Sequence, residues 1–216
     1  MSRPPTPCEK NFRIAAPDDL YKELLALLDL KYRKAFKHTQ GKDFRQGAGE
    51  VLLPHYRRGL IESELEALAH KLGLPAQIVH FEGNNDDFVM ITMPGGVELI
   101  VCYVKSKDAL VRYARKREEL TRQSNMAYLD MLEFVPSNLV LAPTAVFCIL
   151  THSPDPKDLS RLGEANVIFP SPDPHYSLGS LNLHQEAERV NRERAAAELQ
   201  VKRRIEVKLK KGGEGS

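Results

Sequence analysis

The chain has 216 residues, of which 42% are hydrophobic and 28% are charged, and its formal net charge is +2. This composition excludes a disordered chain, and the length suits one domain with terminal extensions. No apolar run approaches the roughly 18–20 residues that cross a bilayer, and the first residues lack the apolar stretch of a signal peptide. We therefore expect a cytoplasmic protein that has no membrane partner.

The first third of the chain predicts a tail and two helices. Residues 1–16 combine prolines with few apolar anchors, which is typical of a flexible N-terminal tail. Pro17 and the acids after it begin a helix, and leucines at helical spacing extend that helix over 18–38. The glycine-containing segment 38–50 predicts a loop. A second helix is predicted over 61–72, because it starts with a capping box and ends at a glycine.

Three short apolar runs then follow one another, over residues 77–82, 87–93 and 97–105. Turn residues separate them, and each run has the length and composition of a strand. The pattern predicts a β-meander, in which consecutive strands pair antiparallel.

The remainder of the domain is predicted as a helix over 107–131 and a strand over 145–151, whose near-continuous apolar run indicates burial on both faces. A helical turn near Asp158 and a further strand over 166–169 complete it. We therefore predict one α/β (α+β) domain over 17–170. Its elements follow the order αβββαβ, with helices on the faces of a mixed sheet of four to five strands.

The C-terminal part is predicted as a proline-rich linker over 171–180, followed by a charged helix and flexible tail over 181–216. The helix is expected from about 182 to 204, although the segment 199–209 also alternates in the manner of a strand. A heptad-like spacing makes 181–207 a candidate surface for a protein partner or for self-association.

Polar residues meet where the second strand begins and the third ends. If Pro94-Gly95-Gly96 forms a three-residue loop, Asp87 lies opposite Tyr103, and Lys105 shares their face. If the glycines form a two-residue turn, the register shifts by one residue and Asp86 faces Lys105. Either register brings one aspartate close to the lysine.

The order helix, three strands, helix and strand over about 60–151 resembles the core of the PD-(D/E)XK nuclease superfamily. That family has an aspartate on the second strand and an acidic-x-Lys pattern on the third, often with a glutamate on the first helix. The carboxylates hold Mg²⁺, which activates water against the phosphodiester, and the lysine stabilises developing charge.

The resemblance implies a set of site residues in this chain. The metal ligands would be Asp86 and Asp87, and the cofactor would be Mg²⁺ or Mn²⁺. Glu62 and Glu66 are alternatives for the helix carboxylate. The catalytic residues would be Asp87, Lys105 and Glu64.

Tyr103 stands where the family has its acidic residue. A phenol with a pKa near 10 is a poor ligand for a hard cation, so one metal oxygen is missing. We therefore expect a catalytically impaired core, and the sequence leans against an enzyme.

A basic segment follows the third strand and suits phosphate groups. The leading hypothesis is a nucleic-acid-associated protein that contacts the backbone of DNA or RNA. One alternative is a protein-interaction, inhibitor or regulatory module that uses the C-terminal helix. Another is an active metal-dependent nuclease that recruits a further carboxylate such as Glu82. The predicted phosphate contacts are Lys105, Lys107, Arg112, Arg115 and Arg117.

Overall fold

The computed structural model describes residues 3–40, 47–80, 87–106, 115–134, 145–173 and 177–212. Within the fourth helix the described side chains are those of 117–126 and Tyr128, and in the last helix they end at Lys202. The protein is a mixed α+β structure, and its helices and strands follow in the order given next.

Three helices come first: α1 (Pro7–Ala15), α2 (Asp18–Thr39) and α3 (Ala48–Lys71). The meander consists of β1 (Ala76–Val79), β2 (Phe88–Met93) and β3 (Val97–Tyr103), with a 3₁₀ turn at Pro94–Gly96. Helix α4 (Arg115–Phe134) leads to the second half of the sheet. That half comprises β4 (Val146–Asp155), β5 (Asp158–Pro170) and β6 (Ser177–Asn182), and α5 (Leu183–Gly212) follows.

The sheet contains all six strands in the spatial order β1-β2-β3-β4-β5-β6. Every neighbouring pair is antiparallel except β3 and β4, which run parallel. A parallel pair needs a long crossover, and α4 lies within the segment that supplies it. The sheet therefore has six strands instead of the four to five predicted.

The additional strand length comes from a hairpin between β4 and β5. The strand does not end after His152. It continues as β4 through a register shift at Pro154, and the chain then turns back into β5. Gly163 makes this possible, since a Cβ there would lie 2.6 Å from the carbonyl oxygen of Pro154. The helical turn predicted near Asp158 is wrong, and the strand predicted at 166–169 is part of the longer β5.

The N-terminal segment predicted as a flexible tail contains α1. Thr6 caps this helix through a capping box with Glu9, and Pro7 occupies a first-turn position where no N–H is needed. Phe12 is fully buried and packs edge-on against Phe169 at 5.8 Å between ring centroids. Pro4 and Pro5 therefore precede the helix and Pro7 begins it, so none of the three prevents it.

Helix α3 is longer than predicted, because it begins at Ala48 and carries Pro54 inside it. A stripe of buried side chains at helical spacing, Leu53, Arg57, Ile61 and Leu65, holds it against the domain. Packing of this stripe outweighs the hydrogen bond that a proline removes.

The C-terminal part also differs from its prediction. Strand β6 begins at Ser177, within the segment predicted as a linker, and buries Leu178 and Leu181. Helix α5 continues through 199–209, so the strand-like alternative for that segment is wrong. Leu183 and Val190 anchor the first part of α5 in the core.

The core has two layers, one on each face of the sheet. The larger layer packs α1, α2, α3 and the start of α5 against the sheet, with Leu99 and Val101 of β3 pointing into it. The smaller layer lies on the α4 side and contains Ile100 and Leu120. Within the described ranges, no helix is long and apolar enough to span a bilayer.

Asn125 joins α4 to the sheet. Its amide donates hydrogen bonds to the carbonyls of Phe147 (2.9 Å) and Pro170 (2.8 Å), and its oxygen accepts one from the Phe147 N–H (2.8 Å). Because all three contacts involve backbone groups at a fully buried side chain, Asn125→Ala leaves polar groups without partners.

We expect Asn125→Ala to lower the free energy of unfolding by about 2–4 kcal/mol in urea titrations. The matched control is Gln123→Ala on the exposed side of the same helix, which should change stability by less than about 0.5 kcal/mol. Equal effects of the two substitutions would contradict this role of Asn125.

Candidate functional site

The end of the sheet where β2 begins and β3 ends is called the meander end, and of the predicted site residues that the structure describes, Asp87 and Lys105 lie there. Met93 pairs with Val97, so of the two registers left open by the sequence, the one with the three-residue loop is present. The described β2–β3 pairs run from Met93 and Val97 to Ile91 and Leu99. On the other side of β2, Phe88 pairs with Val79.

Asp87 lies just before β2 and contacts groups from two other elements. Its carboxylate pairs with His80, with 3.0 Å between Oδ1 and Nδ1. Its carbonyl accepts a hydrogen bond of 3.2 Å from Arg58 of α3, which also bonds Glu62 at 2.9 Å. Glu62 is therefore the helix carboxylate that is linked to Asp87, through Arg58.

Glu64 faces a different neighbour. Its carboxylate accepts a hydrogen bond of 2.6 Å from Lys31 of α2, a lysine that is 4% exposed. This hydrogen bond and the charge of Lys31 lower the pKa of Glu64. Glu64 thus joins α3 to α2, and among the described residues no hydrogen bond or ion pair connects it to Asp87.

Cys102 of β3 lies between the cations of two helices. Arg117 of α4 approaches its sulfur at 3.4 Å. Burial raises the pKa of the Cys102 thiol, while the charges of Arg117 and Arg58 act in the opposite direction. The thiol therefore stays protonated at neutral pH, which argues against a nucleophile, and its surroundings show that both arginines lie close to the end of β3.

Lys105 is exposed two residues after β3. It follows Val104, whose N–H donates to the carbonyl of His152 at 2.9 Å. Among the described residues no ion pair joins Lys105 to Asp87. The other predicted site residues, Asp86, Lys107, Arg112 and the side chain of Arg115, lie outside what the structure describes, and so does Glu82.

A buried cluster that we call the arginine cluster lies next to the meander end and consists of Tyr32, Arg57, Tyr103 and His152. The guanidinium carbon of Arg57 lies 3.9 Å from the centre of the Tyr32 ring and 5.7 Å from that of Tyr103. The parallel β3–β4 register places Tyr103 beside His152, and their rings are 5.8 Å apart. Tyr32 and His152 share a hydrogen bond of 2.8 Å.

Arg57 is 1% exposed and donates to the carbonyl of Leu159 at 2.8 Å. Among the described residues, its Nε has no hydrogen-bond partner and no carboxylate forms an ion pair with the guanidinium. Burial lowers the pKa of Arg57, and the tyrosines Tyr32 and Tyr103 partly offset this. The guanidinium nevertheless keeps its charge at neutral pH.

Tyr32 and His152 of the arginine cluster are neutral at neutral pH. Burial, and after it the charge of Arg57, lowers the pKa of His152 to about 3. Burial also raises the pKa of Tyr32. The cluster therefore carries one fixed positive charge, and Tyr103 packs against it at the position where the nuclease resemblance implies an acid.

This arrangement disfavours a divalent cation beside Tyr103, because a cation there would meet the fixed charge of Arg57. Among the described residues, no group of three or more histidine, cysteine, aspartate or glutamate side chains is placed to hold a metal. Asp87 offers a carboxylate, but its described partner is His80.

Sequence reasoning missed Arg57 and His152. The basic run that contains Arg57 is visible in the sequence, but its burial depends on α3 extending to Ala48. His152 is placed by the parallel register of two strands that 42 residues separate, from Tyr103 to Val146. Neither relation has a local sequence signal.

Comparison with protein-family models, with curated proteins and with solved structures found no match.

We expect His152 to make the stability depend on pH. Its pKa is about 3 in the folded protein against 6.5 as its ordinary value. As the pH falls below about 6.5, the unfolded chain binds a proton at His152 that the folded protein does not bind. The free energy of unfolding is therefore at its full value with respect to His152 above about pH 6.5, and it decreases as the pH falls towards 3. The loss should approach about 1.4 kcal/mol per pH unit between roughly pH 6 and 4.

The measurement is urea unfolding at several pH values for the wild type and for His152→Gln, which should show a flatter profile. His70→Gln provides the control, because His70 is exposed and should leave the slope unchanged. A His152→Gln profile as steep as that of the wild type would exclude this origin of the pH dependence.

Proposed function

We propose that this protein binds the phosphate backbone of nucleic acid at the meander end, with a nuclease-like core that does not cleave. One observation carries the proposal: cations from three separate elements lie at the same end of the sheet. Arg58 comes from α3, Arg117 from α4, and Lys105 follows β3. Guanidinium and ammonium groups arranged in this way suit phosphate oxygens.

Two of the cations make contacts at this end of the sheet: Arg58 donates to the carbonyl of Asp87 at 3.2 Å, and Arg117 approaches the Cys102 sulfur at 3.4 Å. Arg58 and Arg117 both act on the thiol of Cys102. Lys105 is three residues further along the chain, or roughly 10 Å in extended backbone. Glu62 and Asp87 offset part of this charge, so we expect moderate and salt-sensitive binding.

The likeness to the PD-(D/E)XK superfamily remains an expectation that rests on the order of elements. Helix α3 precedes the antiparallel meander, and α4 precedes the strand that pairs parallel with β3. Topology alone does not define an activity, so the proposal depends on the cations and not on this likeness.

The absence of cleavage in the proposal follows from Tyr103 and Arg57. The phenol replaces a carboxylate, and the guanidinium supplies a permanent positive charge near the place where a metal would be needed. A fixed cation attracts phosphate but does not generate a metal-bound hydroxide, so it favours binding over hydrolysis.

We expect Lys105→Ala to weaken the binding of labelled DNA and RNA, because it removes one phosphate contact. In anisotropy titrations between ~50 and ~200 mM salt, the slope of log K against log salt should decrease by about 1.

The matched control is Lys71→Ala, which removes the same charge at the far end of α3, where Lys71 pairs with Glu23. It should leave both affinity and slope nearly unchanged. If the wild type shows no binding at low salt, or if both substitutions have the same effect, the proposal is wrong.

We also expect no cleavage of single- or double-stranded DNA or RNA in the presence of Mg²⁺ or Mn²⁺. Gel analysis should show the same background for the wild type and for Lys105→Ala. Cleavage that disappears with Lys105→Ala would favour the alternative of an active metal-dependent nuclease.

A further inference from the structure

We infer that the second half of α5 is a separate nucleic-acid-binding arm, which would let one molecule bridge two nucleic-acid segments. This inference rests on the proposed function, because it assumes that the meander end binds the first segment. The arm is defined as residues 199–212, the part of α5 that follows Glu198.

The arm is an extension of a helix whose beginning is fixed in the domain. Leu183 and Val190 are buried, and Glu186 bonds Arg13 of α1 at 2.9 Å. Every residue from Asn191 to Lys202 is exposed. The helix therefore leaves the core after Val190, and the contacts of Arg194 with Asp18 and Asp19 of α2 are made at the surface.

Charge separates the arm from the anchored part. The anchored part, residues 183–198, has four acidic and three basic side chains, a formal charge of −1. The arm has six lysines or arginines and one glutamate, a formal charge of +5. A helix with such a concentration of cations attracts a polyanion strongly.

The helix has local reasons to persist without packing. Three alanines, Ala195 to Ala197, precede the arm and have the highest helix propensity. Glu198 stands four residues before Lys202, and Glu206 four residues before Lys210, which is the favourable order for ion pairs along a helix.

The arm points away from the meander end. Helix α5 starts beside Asn166, which pairs with Thr151 next to the arginine cluster. It then reaches the opposite end of α2, where Arg194 bonds Asp19 at 2.8 Å. Asp19 precedes Tyr32 by about 20 Å of helix, and the remaining α5 to Gly212 adds about 27 Å.

The same exposed helix invites a second interpretation, which is pairing with another copy of the chain. The apolar stripe needed for it is short, because Ala197, Val201 and Ile205 stand between Arg194 and Lys208 at helical spacing. A parallel pair would also place one arm of +5 against another. Charge therefore favours a polyanion over a second copy.

The test uses the full chain and a variant in which the last cations are neutralised, Lys208→Gln, Lys210→Gln and Lys211→Gln. A FRET assay with donor-labelled and acceptor-labelled DNA duplexes reports bridging, and anisotropy of one short duplex with the neutralised variant reports binding at the meander end. Light scattering without DNA gives the mass of the protein.

We expect the wild type to be monomeric without DNA and to bring the two duplexes together. The neutralised variant should lose most of the FRET signal while binding one duplex, and Lys105→Ala should weaken the binding of the single duplex. A control variant with Lys10, Lys22 and Lys71 changed to glutamine has the same change in net charge and should keep the signal.

Three results would overturn the inference: bridging that the neutralised variant retains, a wild type that bridges only as a preformed dimer, and absence of bridging by a wild type that binds single duplexes. The last result leaves the proposed function intact, whereas loss of all DNA binding would refute both. Preference of the arm for anionic vesicles over DNA would also refute the inference.

Discussion

The structure depends on how it accommodates the buried guanidinium of Arg57. Removing such a charge from water costs on the order of several kcal/mol even after relaxation. The other buried charged side chains Glu9, Lys31 and Glu186 each have an ion-pair partner. Arg57 instead stacks on Tyr32 and donates to the carbonyl of Leu159. A desolvated cation–π contact contributes about 2 kcal/mol and a charged hydrogen bond about 1.5–3 kcal/mol, so these contacts offset much of the cost.

This accommodation links elements that are distant in the chain. Arg57 belongs to α3, Tyr32 to α2, Tyr103 to β3, and the carbonyl of Leu159 to β5. The parallel register of β3 and β4 sets His152 beside Tyr103, and His152 in turn bonds Tyr32, so this register helps to place both rings that face Arg57. The register therefore fixes both the core on this side of the sheet and the position from which Lys105 leaves it.

The sequence predicts those parts of the fold that local patterns determine. Helix α2 and the doubly buried β4 follow from spacing and apolar runs. Turn residues at Pro94-Gly95-Gly96 limit the β2–β3 register to two alternatives, and the structure has the one with the three-residue loop. The capping box at Thr6 and Glu9 is also local, but the nearby prolines favoured a tail. What could not be predicted depends on tertiary contacts: α3 runs through Pro54 because its stripe is buried, and β6 forms because α1 covers its edge through Glu9 and Ser180. The candidate site shows the same division, since Lys105 is visible in the sequence whereas Arg57 is not.

The charges that sum to +2 are distributed unevenly along the chain. Whether the positively charged surfaces act together depends on the distance between them. At physiological ionic strength the Debye length is about 8 Å, so charges further apart than that act almost independently. The meander end and the arm are separated by several Debye lengths along α2 and α5. Asp18 and Asp19 lie between the meander end and the arm, and both bond Arg194. Their negative charges shield the middle of the molecule. In the proposed function, a polyanion therefore meets two separate positive surfaces, and we expect their contributions to binding to add. If the effects of neutralising the two surfaces add, the surfaces act independently. In one continuous basic face, neutralising either part would also weaken binding by the other part.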